Sequence, residues 1–213
     1  MNSLNDQLAA VTADFVKAAP QEILEVFARA ADALVNLAPE GLQIGAKAPD
    51  FVLLNPSGNE VRLYEELKKG PVILVFYRGA WCPYCNLTLA AYQHALGDIH
   101  ATGAQLVAVS PQTPDASLTM QEKHDLQFHV LSDKGNVTAD AYKLTFSLQK
   151  ELIDVHRKLG IELSLFNGDE AWRLPVPATF VVSQERVVTY AYVNTDHTHR
   201  TDPRDVLEHL KSK

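Results

Sequence analysis

The chain contains only two cysteines among 213 residues, Cys82 and Cys85, which lie three positions apart. A structural zinc site usually needs four protein ligands, and no second cysteine pair is present to complete one. Histidines with tight ligand spacing to this pair are missing as well. We therefore expect neither a metal nor another cofactor. The two cysteines are then either inert core residues or a redox pair.

Long apolar runs and basic clusters are absent too. The apolar runs are far too short to span a bilayer, and no basic segment followed by an apolar core opens the chain. With a formal net charge of −7 and no run of lysine or arginine, the chain lacks a patch that neutralises phosphates. We expect no membrane insertion, no nucleic-acid binding and a cytoplasmic location. In that reducing compartment a lone cysteine pair is expected to cycle between redox states.

The length allows one domain with a good core plus an extension. Apolar periodicity predicts two amphipathic helices, over residues 4–18 and 21–37, and Pro39 follows the second. Residues 1–41 are therefore predicted to be an N-terminal helical extension, and residues 42–213 the main domain. An amphipathic hairpin must bury its apolar stripe, so it either packs on its own domain or acts as the arm of a homodimer.

Alternating strands and helices are predicted in the main domain. The predicted strands cover residues 51–54, 61–63, 72–77, 105–110, 128–131, 178–183 and 186–192, and the predicted helices cover 83–100, 114–126, 137–142, 149–159 and 203–210. The segment 161–166 is interpreted as an extra strand or a loop that covers the site. This alternation implies βαβ units with right-handed crossovers, so the predicted fold class is α/β.

One segment joins a buried strand to a helix and carries both cysteines. Residues 72–77 are continuously apolar, β-branched or aromatic, as in a strand that is covered on both faces. Pro83 suits the first position of a helix and places Cys82 at the N-cap, where free N–H groups and the helix dipole favour a thiolate. We therefore expect a lower pKa for Cys82 than for Cys85, which lies one turn on and within disulfide reach. The preceding Trp81 and the strand–helix context favour a redox pair.

The motif Trp81-Cys82-Pro83-Tyr84-Cys85 after a buried strand resembles the active site of the thioredoxin superfamily, with the inner dipeptide of glutaredoxins. Flanking motifs narrow the resemblance to the peroxiredoxin family, in a branch with both cysteines in one motif. These motifs are Gly45-Ala46-Lys47-Ala48-Pro49-Asp50-Phe51, Phe76-Tyr77-Arg78-Gly79, Val109-Ser110-Pro111-Gln112 and Leu131-Ser132-Asp133. The resemblance covers roughly residues 42–213. It implies a thioredoxin-like fold, with a central mixed β-sheet flanked by helices.

The resemblance also implies a thiol-dependent peroxidase that reduces hydrogen peroxide or alkyl hydroperoxides. Cys82 would form a sulfenic acid and condense with Cys85 to a disulfide, which thioredoxin, glutathione or a similar thiol reductant would reduce. Arg78 would stabilise the thiolate and polarise the peroxide, although a solvated loop arginine is the alternative. Trp81 and Tyr84 would flank the sulfurs and limit water access, or simply pack.

A late proline completes the implied site. In the thioredoxin superfamily a cis-proline before a late strand lies opposite the cysteine pair, and Pro177 has that place by resemblance. The Val176 backbone would then pair with a bound thiol or peptide, while an ordinary trans proline is the alternative. Val75, Gly79 and Pro177 replace the proline, threonine and arginine of the main peroxiredoxin pattern. Two other functions therefore stay open: a thiol–disulfide oxidoreductase acting on proteins, and a redox-sensing scaffold without turnover.

Residues 195–200 form the last polar cluster. His197 and His199 alternate as on a strand and could share a metal, but surface histidines are favoured because no third ligand is indicated. Arg200 could fold over the active site.

Overall fold

A computed structural model describes residues 3–37 and 39–212. Its helices are α1 (Leu4–Ala18), α2 (Gln21–Leu37), α3 (Leu63–Glu66), α4 (Pro83–His94), α5 (Leu96–Ala101), α6 (Pro114–Lys123), α7 (Val137–Ala141), α8 (Lys150–Lys158), α9 (Leu163–Asn167) and α10 (Pro203–Lys211). Its strands are β1 (Val52–Leu54), β2 (Glu60–Arg62), β3 (Val72–Phe76), β4 (Gln105–Ser110), β5 (His129–Ser132), β6 (Thr145–Ser147), β7 (Arg173–Pro175), β8 (Ala178–Val182) and β9 (Val188–Val193). The predicted α/β class is confirmed.

Seven strands form one sheet in the order β2-β1-β5-β4-β3-β8-β9. β3 and β4 are parallel, as are β4 and β5, whereas β8 runs antiparallel to both β3 and β9. β1 and β2, which match the first two predicted strands, form an antiparallel hairpin at one edge. The sheet is thus mixed, as the resemblance implied. β6 and β7 pair separately as a small antiparallel sheet, which the sequence analysis missed.

β3 is buried on both faces, as its apolar run predicted. Ile73 and Val75 pack into one core cluster together with the cysteines, while Leu74 and Phe76 pack into a second cluster on the other face. Burial of such side chains stabilises a fold by roughly 1.5–3 kcal/mol each. The end of β3 is therefore a rigid base for the loop that leads to the cysteines.

The N-terminal helix α1 packs against the rest of its own chain. It begins at a capping box in which Ser3 accepts from the Asp6 N–H and Asp6 accepts from the Ser3 N–H. Leu4 and Leu8, with exposures of 3% and 1%, belong to the same core cluster as the cysteines. The Leu4 N–H also donates to Asp202 Oδ2 at 3.2 Å. These contacts match the alternative in which the extension packs on its own domain.

α2 lies across α1 and α8. Phe27 on α2 meets Phe15 on α1 edge to face, with ring centroids 5.5 Å apart. Arg29 forms an ion pair with Glu151 of α8 at 3.1 Å. Both partners of this pair are exposed, so it contributes at most about 1 kcal/mol. Within the described ranges, no helix combines the length and apolar character needed to cross a membrane.

Two predicted elements differ from the structure. The helix predicted over 83–100 is divided at Ala95 (φ −87°, ψ −1°) into α4 and α5. The interpretation of 161–166 as a strand or loop is wrong, because this segment leads into α9. Gly168 ends α9 in a left-handed conformation (φ +69°), as glycine commonly does after a helix.

Candidate active site

The two cysteines lie where β3 passes into α4. The chain leaves β3 at Phe76, and α4 begins at Pro83 with Cys82 as its N-cap residue (φ −91°, ψ 113°). Cys85 lies in the first turn of the helix. Both thiols are buried, with residue exposures of 1% for Cys82 and 0% for Cys85. The predicted location of Cys82 at the helix start is confirmed.

The loop before the cysteines requires glycine at its turn. Gly79 has φ +151°, and a Cβ atom there would lie 2.5 Å from Trp81 Nε1 and 3.2 Å from Gln112 Cδ. L-residues rarely adopt this φ, and the space for a side chain is already filled. This loop therefore has no room for the threonine of the main peroxiredoxin pattern.

Three polar side chains hold the loop in place. Asn86 Nδ2 donates to the carbonyl oxygens of Ala80 and Cys82, each at 2.8 Å. Gln112 Oε1 accepts from the Ala80 N–H at 2.8 Å, and His124 Nε2 lies 2.7 Å from Asn86 Oδ1. Of these three residues, only Gln112 belongs to a motif noted in the sequence, and Asn86 and His124 were not predicted. No local signal marks those two, because their partners lie on other elements or across the loop.

The sulfur of Cys85 receives most of the polar contacts at the site. The Arg78 backbone N–H donates to Cys85 Sγ at 3.4 Å, and Arg200 Nη2 lies 3.8 Å from the same sulfur. Burial raises the pKa of Cys85, but a hydrogen bond from the Cys82 thiol and the Arg200 charge outweigh it. Arg78 adds its charge and its N–H, so the pKa of Cys85 lies well below its ordinary value.

The pKa of Cys82 is shifted in the opposite direction. Burial raises the pKa of Cys82 well above its ordinary value, and the hydrogen bond with Cys85 and the charge on that sulfur raise it further. The expectation that Cys82 titrates below Cys85 is therefore wrong for this geometry. The N-cap position of Cys82 alone does not decide which of the two thiols has the lower pKa. The Arg78 N–H and Arg200 Nη2 act directly on the Cys85 sulfur, and the Cys82 thiol donates to that sulfur as well. The pair is best described as one thiol hydrogen-bonded to one thiolate.

Arg78 is an internal cation and not a solvated loop residue. It is 7% exposed, and its guanidinium carbon lies 4.8 Å from the ring centroid of Trp81. Among the described residues its Nε atom has no hydrogen-bond partner. Because water is excluded from this side chain, its positive charge is screened less than that of an exposed arginine.

Arg200 does fold over the cysteine pair, as predicted. It is 6% exposed, and its Nη1 atom donates to the backbone carbonyl oxygens of His197 and His199. The two histidines of this cluster lie in different surroundings. His197 is partly buried against Tyr84, with ring centroids 5.4 Å apart, whereas His199 is exposed and paired with Asp196 at 2.9 Å. The prediction that both are surface histidines is thus confirmed for His199 and wrong for His197.

The predicted aromatic residues flank the sulfurs. Tyr84 is 7% exposed, and its hydroxyl lies 3.2 Å from Thr12 Oγ1 on α1. Trp81 is partly buried and meets His156 edge to face, with ring centroids 5.6 Å apart. Burial and then the Arg78 charge lower the pKa of His156 to about 4, so its ring is neutral at pH 7.

Val176 and Pro177 lie at the start of β8, but not as a cis-proline would place them. Every peptide bond in the described part of the chain is trans, so the prediction of a cis bond at Pro177 is wrong. The chain passes in an extended course from β7 to β8, with the Val176 N–H donating to the Leu144 carbonyl at 2.8 Å. Pro177 lines a small cavity of about 40 Å³ that also includes Arg78.

A larger cavity of about 480 Å³ reaches Cys82. We call it the cysteine cavity. The main domain contributes Arg78, Trp81, Cys82 and Tyr84 to its wall, and α1 and α2 contribute the opposite side. Cys85 is not part of this wall. Of the two cysteines, Cys82 is therefore the one that lines a space where a small molecule can bind.

Comparison with known proteins identifies relatives of this chain. A sequence model of the AhpC/TSA family matches residues 44–191. Peroxiredoxin Bcp of Bacillus subtilis is 30% identical over 136 residues, which are 62% of this chain and 82% of that protein. Two Mycobacterium tuberculosis proteins, named provisionally as peroxiredoxins, are 35% identical over 98 residues. The match covers 46% of this chain and 62% of theirs, less than two thirds of their length.

A solved structure also resembles this one. The crystal structure of the peroxidoxin BcpB from Mycobacterium tuberculosis superimposes with a TM-score of 0.64, over 80% of this chain and 97% of the other. The two are 20% identical, so the likeness concerns the fold. It agrees with the thioredoxin-like architecture that the sequence motifs implied.

Proposed function

Because this chain belongs to the AhpC/TSA family, we propose that it is a thiol-dependent peroxidase that reduces hydroperoxides with Cys82 and Cys85. One observation carries this proposal. Two buried cysteines lie beside two internal arginines, with Arg200 Nη2 3.8 Å from Cys85 Sγ, and Cys82 lines a cavity. The wall of that cavity also holds Arg78, whose positive charge would stabilise the departing peroxide oxygen.

The first step is attack by Cys82 on the O–O bond. In the ground state the Cys82 thiol donates to the Cys85 thiolate. As Cys82 Sγ forms its bond to the nearer peroxide oxygen, its proton passes to Cys85, which acts as the general base. The O–O bond breaks and the distal oxygen leaves as an alkoxide or hydroxide, stabilised by Arg78 and protonated by Cys85. Cys82 is now a sulfenic acid and Cys85 is a thiolate again.

The second step forms the disulfide. The Cys85 thiolate attacks the Cys82 sulfur, an S–S bond forms, and hydroxide leaves and takes a proton to become water. Two thiols have then lost two electrons, and one hydroperoxide has been reduced to an alcohol and water. Because the two residues are one helical turn apart, the bond requires little unwinding of α4.

An external thiol closes the cycle. Thioredoxin or a similar dithiol would reduce the Cys82–Cys85 disulfide by exchange. A cytoplasmic location, where such thiols are abundant, belongs to the same proposal. Homodimer formation stays a prediction from the sequence. Since Cys82 is only 1% exposed, a substrate would reach it through the cysteine cavity, which is large enough for a hydroperoxide to enter.

The test is to mix the reduced protein with one equivalent of hydroperoxide, count free thiols over time and determine the mass. We expect loss of both thiols and formation of an intramolecular disulfide. The variant Cys85→Ser should accumulate a sulfenic acid at Cys82 that dimedone traps, although more slowly, since it lacks the thiolate base. Cys82→Ser should not consume peroxide.

Two results would contradict the proposal. If the cysteines are not oxidised by any hydroperoxide but the protein rapidly reduces insulin disulfides, it is a thiol–disulfide oxidoreductase. If Cys82→Ser consumes peroxide and Cys85→Ser does not, the two roles are reversed. Absence of both activities would leave the redox-sensing scaffold.

A further inference from the structure

The N-terminal hairpin, defined as α1 and α2, lies outside the residues matched by the AhpC/TSA family, which begin at residue 44. Even so, it forms one wall of the cysteine cavity. We propose that this wall makes the cavity a binding site for organic hydroperoxides with a bulky apolar body, so that the hairpin selects them over hydrogen peroxide. This inference rests on the proposed peroxidase function and specifies its substrate class.

The size of the cavity supports this choice. Its volume is about 480 Å³. A cavity needs only ~10–15 Å³ of such space to hold one water molecule, and small-molecule sites measure roughly 300–1,000 Å³. Hydrogen peroxide has only two heavy atoms and would leave most of the space unfilled by substrate. An aromatic or long-chain hydroperoxide would fill it and would displace water from apolar surfaces.

The chemical character of the wall points to the same class. The hairpin contributes Val11, Phe15, Leu24 and Phe27, which form an apolar surface opposite the cysteines. The outer part of the wall is apolar as well, since Val16 and Leu159 are 52% and 41% exposed there. Burial of apolar ligand surface against such residues contributes roughly 25 cal/mol per Å². A ligand body without charge is therefore favoured.

Few of the residues that line the cavity carry a charge. Arg78 and Cys82 line the wall together, so the peroxide group of a ligand would face them. His156 and His197 also line it, but burial lowers the pKa of both rings, and the nearby Arg78 lowers it further. Both rings are therefore neutral at pH 7. Asp196, at the edge, is already paired with His199. The wall thus offers Arg78 and Cys82 to the O–O group, and most of its other residues are apolar or neutral.

The wall is also pre-formed. Tyr84 on α4 is 3.2 Å from Thr12 on α1 through their hydroxyl oxygens, which holds the hairpin against the active-site helix. Phe27 is fixed between Phe15 and His156, at centroid distances of 5.5 and 5.9 Å. A wall held in this way binds an apolar ligand without a large ordering cost.

The experiment compares two substrates and matched variants. Second-order rate constants for thiol loss are measured with cumene hydroperoxide and with hydrogen peroxide. Leu24→Trp fills the cavity from α2, whereas Val35→Trp adds the same indole to the same helix at a position that is 59% exposed and outside the wall. Ala31→Leu is a milder filling variant for the case that Leu24→Trp does not fold, which thermal unfolding reports.

We expect the native chain to react at least about tenfold faster with cumene hydroperoxide. Leu24→Trp should reduce this ratio about fivefold or more, because it slows the reaction with cumene hydroperoxide more than the reaction with hydrogen peroxide, while Val35→Trp should match the native chain. An unchanged ratio in the filling variants, or equal losses with both substrates, would overturn the inference and leave the peroxidase function intact. Failure of every hydroperoxide to oxidise the cysteines would instead refute the proposed function itself.

Discussion

Replacement of Arg200 by glutamine should raise the pKa at which the cysteine pair loses its first proton. Arg200 Nη2 lies 3.8 Å from Cys85 Sγ, and both residues are buried, at 6% and 0% exposure. Water therefore screens this charge poorly. Glutamine keeps a hydrogen-bonding side chain of similar breadth but removes the charge that stabilises the thiolate.

The magnitude follows from the distance. At 3.8 Å two unit charges interact by ~1 kcal/mol in bulk water and by ~4 kcal/mol at an effective dielectric constant of about 20. Since one pKa unit corresponds to ~1.4 kcal/mol, the variant should titrate about 1–3 units higher. The thiolate fraction at pH 7, and with it the rate of oxidation by peroxide, should fall by at least about tenfold if the variant titrates about one unit or more above that pH. Arg78 remains in place and keeps part of the stabilisation.

The assay is a pH titration of thiolate ultraviolet absorbance, together with the pH dependence of the oxidation rate. In the native chain the rate should rise with pH through an inflection below the pKa of a free cysteine, ~8.5, because thiolate forms as pH rises. Arg200→Lys should retain most of the effect. Arg62→Gln, which removes an exposed arginine paired with Asp50, is the control and should titrate like the native chain.

The reasoning would be refuted if Arg200→Gln remains folded and titrates within about 0.3 units of the native chain. The low pKa of the pair would then come from the Arg78 N–H and the helix start, and Arg200 would only hold its loop through the two backbone carbonyls.

Three further predictions concern the loop and the core. Arg78→Ala should slow oxidation by peroxide about 10²-fold and should affect reduction of the disulfide by dithiothreitol much less. Only the oxidation places charge on a departing oxygen. Equal losses in both reactions would show that Arg78 only stabilises the thiolate. Gly79→Ala should lower the free energy of unfolding in urea by about 1–3 kcal/mol, whereas Gly97→Ala, which meets no atom within 4 Å inside α5, should be neutral or stabilising. Leu8→Ala should destabilise the chain by about 2–5 kcal/mol, and the exposed Val16→Ala should change stability little; equal effects would show that α1 is not part of the cooperative fold.

Much of the fold was predictable because its signals are local. The strand at 72–76 follows from a continuous apolar run, and the start of α4 follows from Pro83, which lacks the N–H that a helix interior would need. The break at Ala95 and the pairing of β6 with β7 were missed. Gly97 lies two positions after this break but was not used to predict it, and β6 and β7 pair although they lie far apart in sequence. The trans bond at Pro177 was missed because a cis bond was inferred from the family resemblance and not from the path of the chain between β7 and β8.

The same distinction between local and tertiary effects applies to the candidate site. The positions of Cys82 and Cys85 at a helix start, one turn apart, were determined by the sequence itself, because helix geometry and proline chemistry act over a few residues. The order of their pKa values was not, since it depends on Arg200, which is 115 positions from Cys85 and reaches its sulfur only in the folded chain. The cysteine cavity likewise exists only because α1 and α2 pack over α4. Electrostatic and apolar contacts act through space, so tertiary structure alone decided which sulfur is charged and which one faces a ligand.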